Sequence, residues 1–285
     1  MDTSTPAAAR PPDGAWRWDQ LDVDAYLARV GYRGTPAVGP ESLTALHRAH
    51  VAAIPFENLD LQLGRGVSVA LPDIEAKLVH AGRGGYCYEH GLLFSAVLDR
   101  LGFAVEPMLA RTGDPAVHPR PRSHLVVRVR LGDTAWLADP GFGSGLLAPV
   151  PLAEGGVHHQ GDWAFRVQRG DDGGWRLQER RSGQWETLYT VAEEATYPVD
   201  IATANYLTST SPGSPFVRQV VVVRKGDHDL RQLINREYSV TSADGATTTR
   251  VVTDEELGTL LAELGLPLSA AETAELITHL PVVAS

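Results

Sequence analysis

The chain has 285 residues, 43% hydrophobic and 21% charged, which excludes wholesale disorder and is long enough for two or three packed units. Its 25 basic and 35 acidic side chains leave a formal net charge of −10, which argues against nucleic acid or an anionic membrane as the main partner. No run approaches the ~18 consecutive apolar residues of a membrane span, and a single cysteine excludes an intramolecular disulfide framework or a multi-cysteine metal site.

Residues 1–16 are rich in Pro and Ala without periodicity and read as a disordered tail. The start shows neither the basic opening nor the apolar stretch of a secretory signal, so a cytoplasmic protein is expected. Asp22 can cap a first helix carrying Tyr26, Leu27 and Val30, which Gly31 ends. A second helix is expected from Ser42 to Ala53. A third begins near Pro72 and runs through Ile74, Leu78 and Val79 to Gly82. A fourth follows Arg83-Gly84-Gly85, with Leu93, Val97 and Leu101 on one face. The pattern then turns to period two: Leu125, Val127, Val129 and Leu131 alternate, and Gly132-Asp133 turns into 134–139. Runs at 163–168, 174–180 and 184–190 read as an antiparallel meander, Asp171-Asp172 marking a hairpin tip rather than a calcium loop. A strand over Val220–Val223 and a hairpin near 236–252 follow. Two helices with capping-box spacing, Thr253/Glu256 and Ser269/Glu272, close the chain. The expected units are a helical bundle over 17–103, an antiparallel β domain over 104–205 and an α/β part over 206–285: an α+β protein in three parts.

One constellation carries chemistry. Cys87 stands where a glycine turn enters a helix, and a lone cysteine is by itself most often a small buried hydrophobe. In the first turn of a helix, however, a thiol meets the positive end of the dipole and backbone N–H groups without intrahelical acceptors, which favour a thiolate and can hold an oxyanion. A base is still needed, and the hairpin supplies one. If Gly132-Asp133 is a two-residue turn, Val126 faces Asp139. His124 then shares a face with Asp139 at a diagonal Cα separation of about 7–8 Å. A carboxylate so placed can fix the tautomer of a histidine and steady its imidazolium. From spacing alone a surface His–Asp pair remains an equal alternative. His158-His159 reads as an exposed loop pair, and Glu89-His90 lacks the H-E-x-x-H spacing of a zinc enzyme.

Arg83-Gly84-Gly85-Tyr86-Cys87-Tyr88-Glu89-His90, Ile54-Pro55-Phe56-Glu57-Asn58-Leu59-Asp60, Ser123-His124-Leu125-Val126, Leu137-Ala138-Asp139-Pro140-Gly141-Phe142-Gly143 and the 208–216 segment ending in Phe216 together resemble the signature blocks of the arylamine N-acetyltransferases. They stand in family order over roughly residues 18–225. The resemblance implies a papain- or transglutaminase-like core: a helical bundle, a β-barrel-like domain and an α/β lid. It also implies acetyl-CoA as acyl donor, no metal, and a ping-pong transfer of the acetyl group to an arylamine or hydrazine. Cys87 would be the nucleophile, His124 the base and Asp139 its orienting acid. By motif match, Phe56, Phe142 and Phe216 would line the acceptor pocket; Ser123, Phe142 and Gly143 would approach CoA; Glu57 and Arg83 would fix the cysteine loop. No nucleic acid or membrane partner is implied, and a homo-oligomer is left open. Two departures stand out. Gly91 occupies the family's usual Asn position, and Pro140 replaces a β-branched residue after Asp139. The same triad also resembles amide synthases that form macrolactams from carrier-bound polyketide thioesters, the main alternative. A cysteine hydrolase and a non-enzymatic scaffold are more distant ones.

Overall fold

The computed structural model describes residues 15–170 and 172–281. Residues 1–14 of the expected tail, and Asp171 of the expected hairpin tip, lie outside the described residues. Trp16, at the end of that tail, stacks on Trp18 with ring centroids 5.4 Å apart.

The first part is helical. Asp22 Oδ1 accepts the Ala25 N–H at 2.9 Å and caps α1 (Val23–Arg29), and Gly31, with φ 67°, ends it. Next comes α2 (Pro40–Ala53), which starts two residues earlier than its apolar spacing predicts, because Pro40 suits a first helical turn. A two-residue strand β1 (Phe56–Glu57) and a single helical turn α3 (Leu59–Gln62) come before α4 (Leu71–Glu75). The last of these continues as a π turn over Ala76–His80, a deviation that the predicted helix conceals since its apolar positions still share a face. The bundle ends with α5 (Cys87–Arg100), every residue of which from Cys87 to Leu98 is buried.

The second part is an eight-stranded antiparallel, barrel-like sheet in which the predicted meander and hairpin both appear. Its strands are β2 (Ala104–Thr112), β3 (Arg122–Leu131), β4 (Thr134–Ala138), β5 (Val150–Pro151), β6 (His158–Gln160), β7 (Trp163–Arg169), β8 (Trp175–Arg181) and β9 (Gln184–Val191). They pair in the order β5-β4-β3-β2-β9-β8-β7-β6. His158 and His159 therefore sit in β6, paired with Phe165 and Ala164, and not in a loop. The β3–β4 ladder runs from Val127↔Ala138 to Leu131↔Thr134, the register expected of a two-residue turn. Its apolar face (Val127, Val129, Ala138) packs with Phe94 and Leu98 of α5 and Leu43 and Leu46 of α2.

The third part begins with α6 (Pro198–Thr210), which contains residue 205, and the short α7 (Pro215–Arg218). Then follow β10 (Val221–Lys225), β11 (Asp229–Ile234), β12 (Glu237–Ser242), β13 (Thr247–Val251), α8 (Asp254–Glu263) and α9 (Ala270–His279). Both predicted capping boxes form: Glu256 accepts from Thr253 N at 3.0 Å and Glu272 from Ser269 N at 2.9 Å. A five-stranded sheet in the order β1-β10-β11-β12-β13 carries the two terminal helices, whose Leu257, Leu260, Leu261 and Leu276 close over Val220, Val222 and Leu233. Strand β1 of the helical part is thus an edge of the C-terminal sheet, with Phe56 opposite Val223. No helix among the described residues is long and apolar enough to cross a membrane.

Candidate active site

Cys87 opens α5, directly after the Arg83-Gly84-Gly85-Tyr86 turn, and is 3% exposed. Glu89 Oε2 accepts the Tyr86 N–H at 2.9 Å, which fixes the entry to the helix. Neither glycine lies in the left-handed φ region that would by itself call for glycine. Close approach explains them instead: a Cβ on Gly84 would lie 2.2 Å from the Pro55 carbonyl oxygen, and one on Gly85 2.7 Å from Glu89 Oε2. The turn lies against β1, with Glu57 N–H donating to Gly85 O at 2.8 Å. Gly84→Ala is therefore expected to destabilise the fold by about 1–3 kcal/mol, read as a lower urea midpoint. Gly91, the departure in the second turn, serves packing in the same way. A Cβ there would meet Leu125 Cδ2 at 2.8 Å, so its absence lets α5 lie directly on β3.

That contact brings β3 to the cysteine. The β2–β3 register shifts between Ala110 and Arg111, pairing them with His124 and Arg122 and leaving Ser123 unpaired, a bulge of the kind that re-aims side chains. The Ser123 carbonyl faces the thiol, with Cys87 Sγ 3.7 Å away. His124 is 3% exposed; its Nε2 lies 2.9 Å from Asp139 Oδ2, and its ring is close enough to the Cys87 sulfur to feel its charge. Asp139, 1% exposed, accepts the Gly141 N–H on Oδ1 at 3.1 Å, and its own N–H donates to His47 Nε2 at 3.0 Å. The structure therefore brings Cys87, His124 and Asp139 into one buried cluster. Burial is the largest influence on His124 and opposes its charge. The Asp139 carboxylate and the Cys87 sulfur outweigh it and push the imidazole up to about 10. A folded-state value above the ordinary 6.5 adds stability that is complete below that pH and is lost as pH rises through 10. The melting temperature should thus fall more steeply from pH 8 to 10.5 in the wild type than in His124→Phe.

Aromatic rings wall the site. Phe142 stands edge-on to His124 at 5.0 Å, and Tyr189 lies 5.1 Å from His124 and 5.3 Å from Phe142. Phe56 and Phe216 are 5.8 Å apart, and Phe216 also meets Tyr86 at 5.8 Å. Gly143, with φ 79°, passes so close to Phe56 that a Cβ would lie 2.9 Å from Cγ. All eight residues singled out from the sequence thus border one region. Glu57 and Arg83 do pair, at 3.0 Å, within a buried cluster where Arg83 also reaches Asp60 and Lys77 bridges Asp60 and Glu89. Burial disfavours the Lys77 ammonium, but Glu57, Glu89 and Asp60 together raise its pKa above the ordinary lysine range.

The sequence reading missed His47 and His50, buried beneath the site, and Tyr189, none of which belongs to a local motif. His50 Nε2 lies 2.8 Å from His90 Nδ1, His90 Nε2 3.0 Å from Gly85 O, and the Tyr26 hydroxyl 2.9 Å from His50 Nδ1. Since Gly85 O only accepts, His90 donates to it from Nε2, accepts from His50 at Nδ1, and His50 accepts from Tyr26. This one-way chain ends on the cysteine turn and requires neutral rings. Burial holds them so, lowering His90 to about 4 and His50 well below the ordinary histidine value. Among the described residues no group of three or more His, Cys, Asp or Glu could hold a metal ion.

Comparison with known proteins gives a consistent result. The N-acetyltransferase family matches residues 41–273. The arylamine N-acetyltransferase of Mycolicibacterium smegmatis is 37% identical over 236 residues, 80% of this chain and 84% of that protein. Among solved structures, the arylamine N-acetyltransferase of Mycobacterium abscessus superposes with a TM-score of 0.88 at 35% identity, covering 95% of this chain and 99% of that one. The Mycobacterium marinum arylamine N-acetyltransferase in complex with CoA gives 0.80 at 28% identity, covering 91% and 100%.

Proposed function

The chain belongs to the arylamine N-acetyltransferase family, an acyltransferase fold, and we propose that it moves an acetyl group from acetyl-CoA to an arylamine or hydrazine through a thioester on Cys87. The observation that carries this reading is the buried His124–Asp139 pair set beside the Cys87 sulfur at the head of α5. In the first half-reaction the thiol's proton rests on the His124 ring nitrogen turned toward Cys87, the charged ring that Asp139 favours, and the thiolate attacks the thioester carbonyl. First-turn amides of α5, which have no intrahelical acceptor, are the donors available to the oxyanion. Collapse of that adduct breaks the carbonyl–CoA bond, and His124 returns the proton to the departing CoA sulfur. In the second half an amine attacks the acetyl-Cys87 carbonyl, His124 takes a proton from the nitrogen, and the Cys87 sulfur leaves and recovers it. Asp139 holds the imidazole through both halves. The solved CoA complex of the M. marinum relative supports an acyl-CoA donor. The aromatic walls formed by Phe56, Phe142 and Phe216 suit a planar aryl acceptor.

Intact-protein mass spectrometry tests the proposal. Acetyl-CoA alone should leave one acetyl increment on the protein, absent from Cys87→Ala and discharged by an aniline. A Cys87→Ala protein that still acetylates the aniline would overturn it.

A further inference from the structure

Only two of the chain's 25 basic residues are lysines, Lys77 and Lys225, and both are drawn inside. Lys225 ends β10 with its side chain 1% exposed. Its Nζ pairs with the fully buried Glu179 of β8, lies 4.0 Å from the centre of the Trp163 ring and 4.8 Å from that of Phe165, and donates to the Ser144 carbonyl at 2.9 Å. An ammonium fits such a seat. A guanidinium would bring five N–H donors into a space walled by two rings.

The bond to Ser144 is the informative one. The β10–β11 turn is already joined to β7 without Lys225: Asp162 N–H donates to Asp227 O at 2.8 Å and Trp163 Nε1 to Gly226 O at 2.8 Å. What the lysine adds is a grip on the loop that leaves the site. That loop begins at Asp139, sets Phe142 edge-on to His124, and passes Gly143 against Phe56. The same strand β10 also positions Phe56, through its pairing with Val223 two residues before Lys225. One strand therefore governs both sides of the cleft mouth.

We propose that Lys225 is a positioning residue for acyl transfer, holding the 139–145 loop by its bond to the Ser144 carbonyl so that Phe142 and Gly143 keep their places between His124 and Phe56. The proposal rests on the thioester-transfer reading. Glu179 keeps the ammonium in its buried seat, and the loop bond is what reaches the site.

The test separates the two contacts. In Lys225→Met/Glu179→Gln both charges go together, so no buried carboxylate is stranded, and the donor to Ser144 is lost. In Glu179→Gln the amine remains to donate. The double variant should raise the KM for acetyl-CoA about tenfold through misplacement of the loop, while iodoacetamide still alkylates Cys87 at the wild-type rate. Glu179→Gln should keep the wild-type KM. If the methionine variant does not fold, Lys225→Gln/Glu179→Gln takes its place. The two amides of that variant can pair with each other, but the side chain at position 225 is then one bond shorter than lysine. A double variant with wild-type KM overturns the proposal, as does a Glu179→Gln protein whose KM rises as far as the double variant's. A wild-type protein that takes no acetyl group overturns the transfer reading and this proposal together; normal loading with an unmoved KM overturns this proposal alone.

Discussion

Asp139→Asn will lower the rate of acyl transfer by about 10⁴-fold with the fold intact, as expected when an orienting carboxylate is replaced by its amide. The reason lies in the second hydrogen bond of Asp139. Its Oδ1 accepts the Gly141 N–H, so an asparagine must keep its oxygen on that side and turn its NH₂ toward His124. An amide donating to His124 Nε2 forces the ring proton onto the nitrogen that faces Cys87, where a base must be unprotonated. Alkylation of Cys87 by iodoacetamide should slow in parallel, as it should in His124→Ala. Transfer by Asp139→Asn within tenfold of wild type would remove the residue from its assigned part.

Arg83→Met should lower the unfolding free energy by about 3–5 kcal/mol, a large share of the roughly 5–15 kcal/mol of an ordinary domain. Arg83 is 6% exposed and faces Glu57, which is wholly buried, and Asp60. Removing the guanidinium leaves the Glu57 carboxylate with little beyond Lys77 to offset its charge and the Leu59 N–H to bind it. A second change, Glu57→Gln, should restore most of the loss, because the penalty comes from a stranded charge and not from a missing bond. Urea denaturation reads both. An unchanged midpoint in Arg83→Met would show that the pair does not hold the cysteine turn.

Local signals made much of this molecule legible. The Gly132-Asp133 turn set the β3–β4 register to the residue, and with it the common face of His124 and Asp139. The glycine turn before Cys87 marked the start of α5, and the two capping boxes marked the last helices. Elements without such punctuation were not read. Strand β2 carries Pro107 in its middle, which breaks the appearance of a strand. Helix α6, rich in Thr and Ala, has no apolar stripe to betray it. The short β11 escaped as well. At the site, the missing pieces are those supplied from far along the chain. His47 reaches Asp139 across 92 residues and Lys225 reaches Ser144 across 81, and no spacing rule connects such pairs. The glycines at 84, 85 and 91 were visible as letters, but their purpose, room for Pro55, Glu89 and Leu125, exists only once the chain has folded.

The short edge strand Phe56–Glu57 has a consequence for biosynthesis. Its hydrogen-bonded neighbour, Val222–Val223, lies some 165 residues further along the chain. A nascent chain that has left the ribosome as far as residue 205 already holds the sulfur, the imidazole and the carboxylate, yet lacks the strand against which Phe56 is laid. Closing so distant a contact is slow. The Phe56 side of the site should therefore be complete only once β10 has been made and paired.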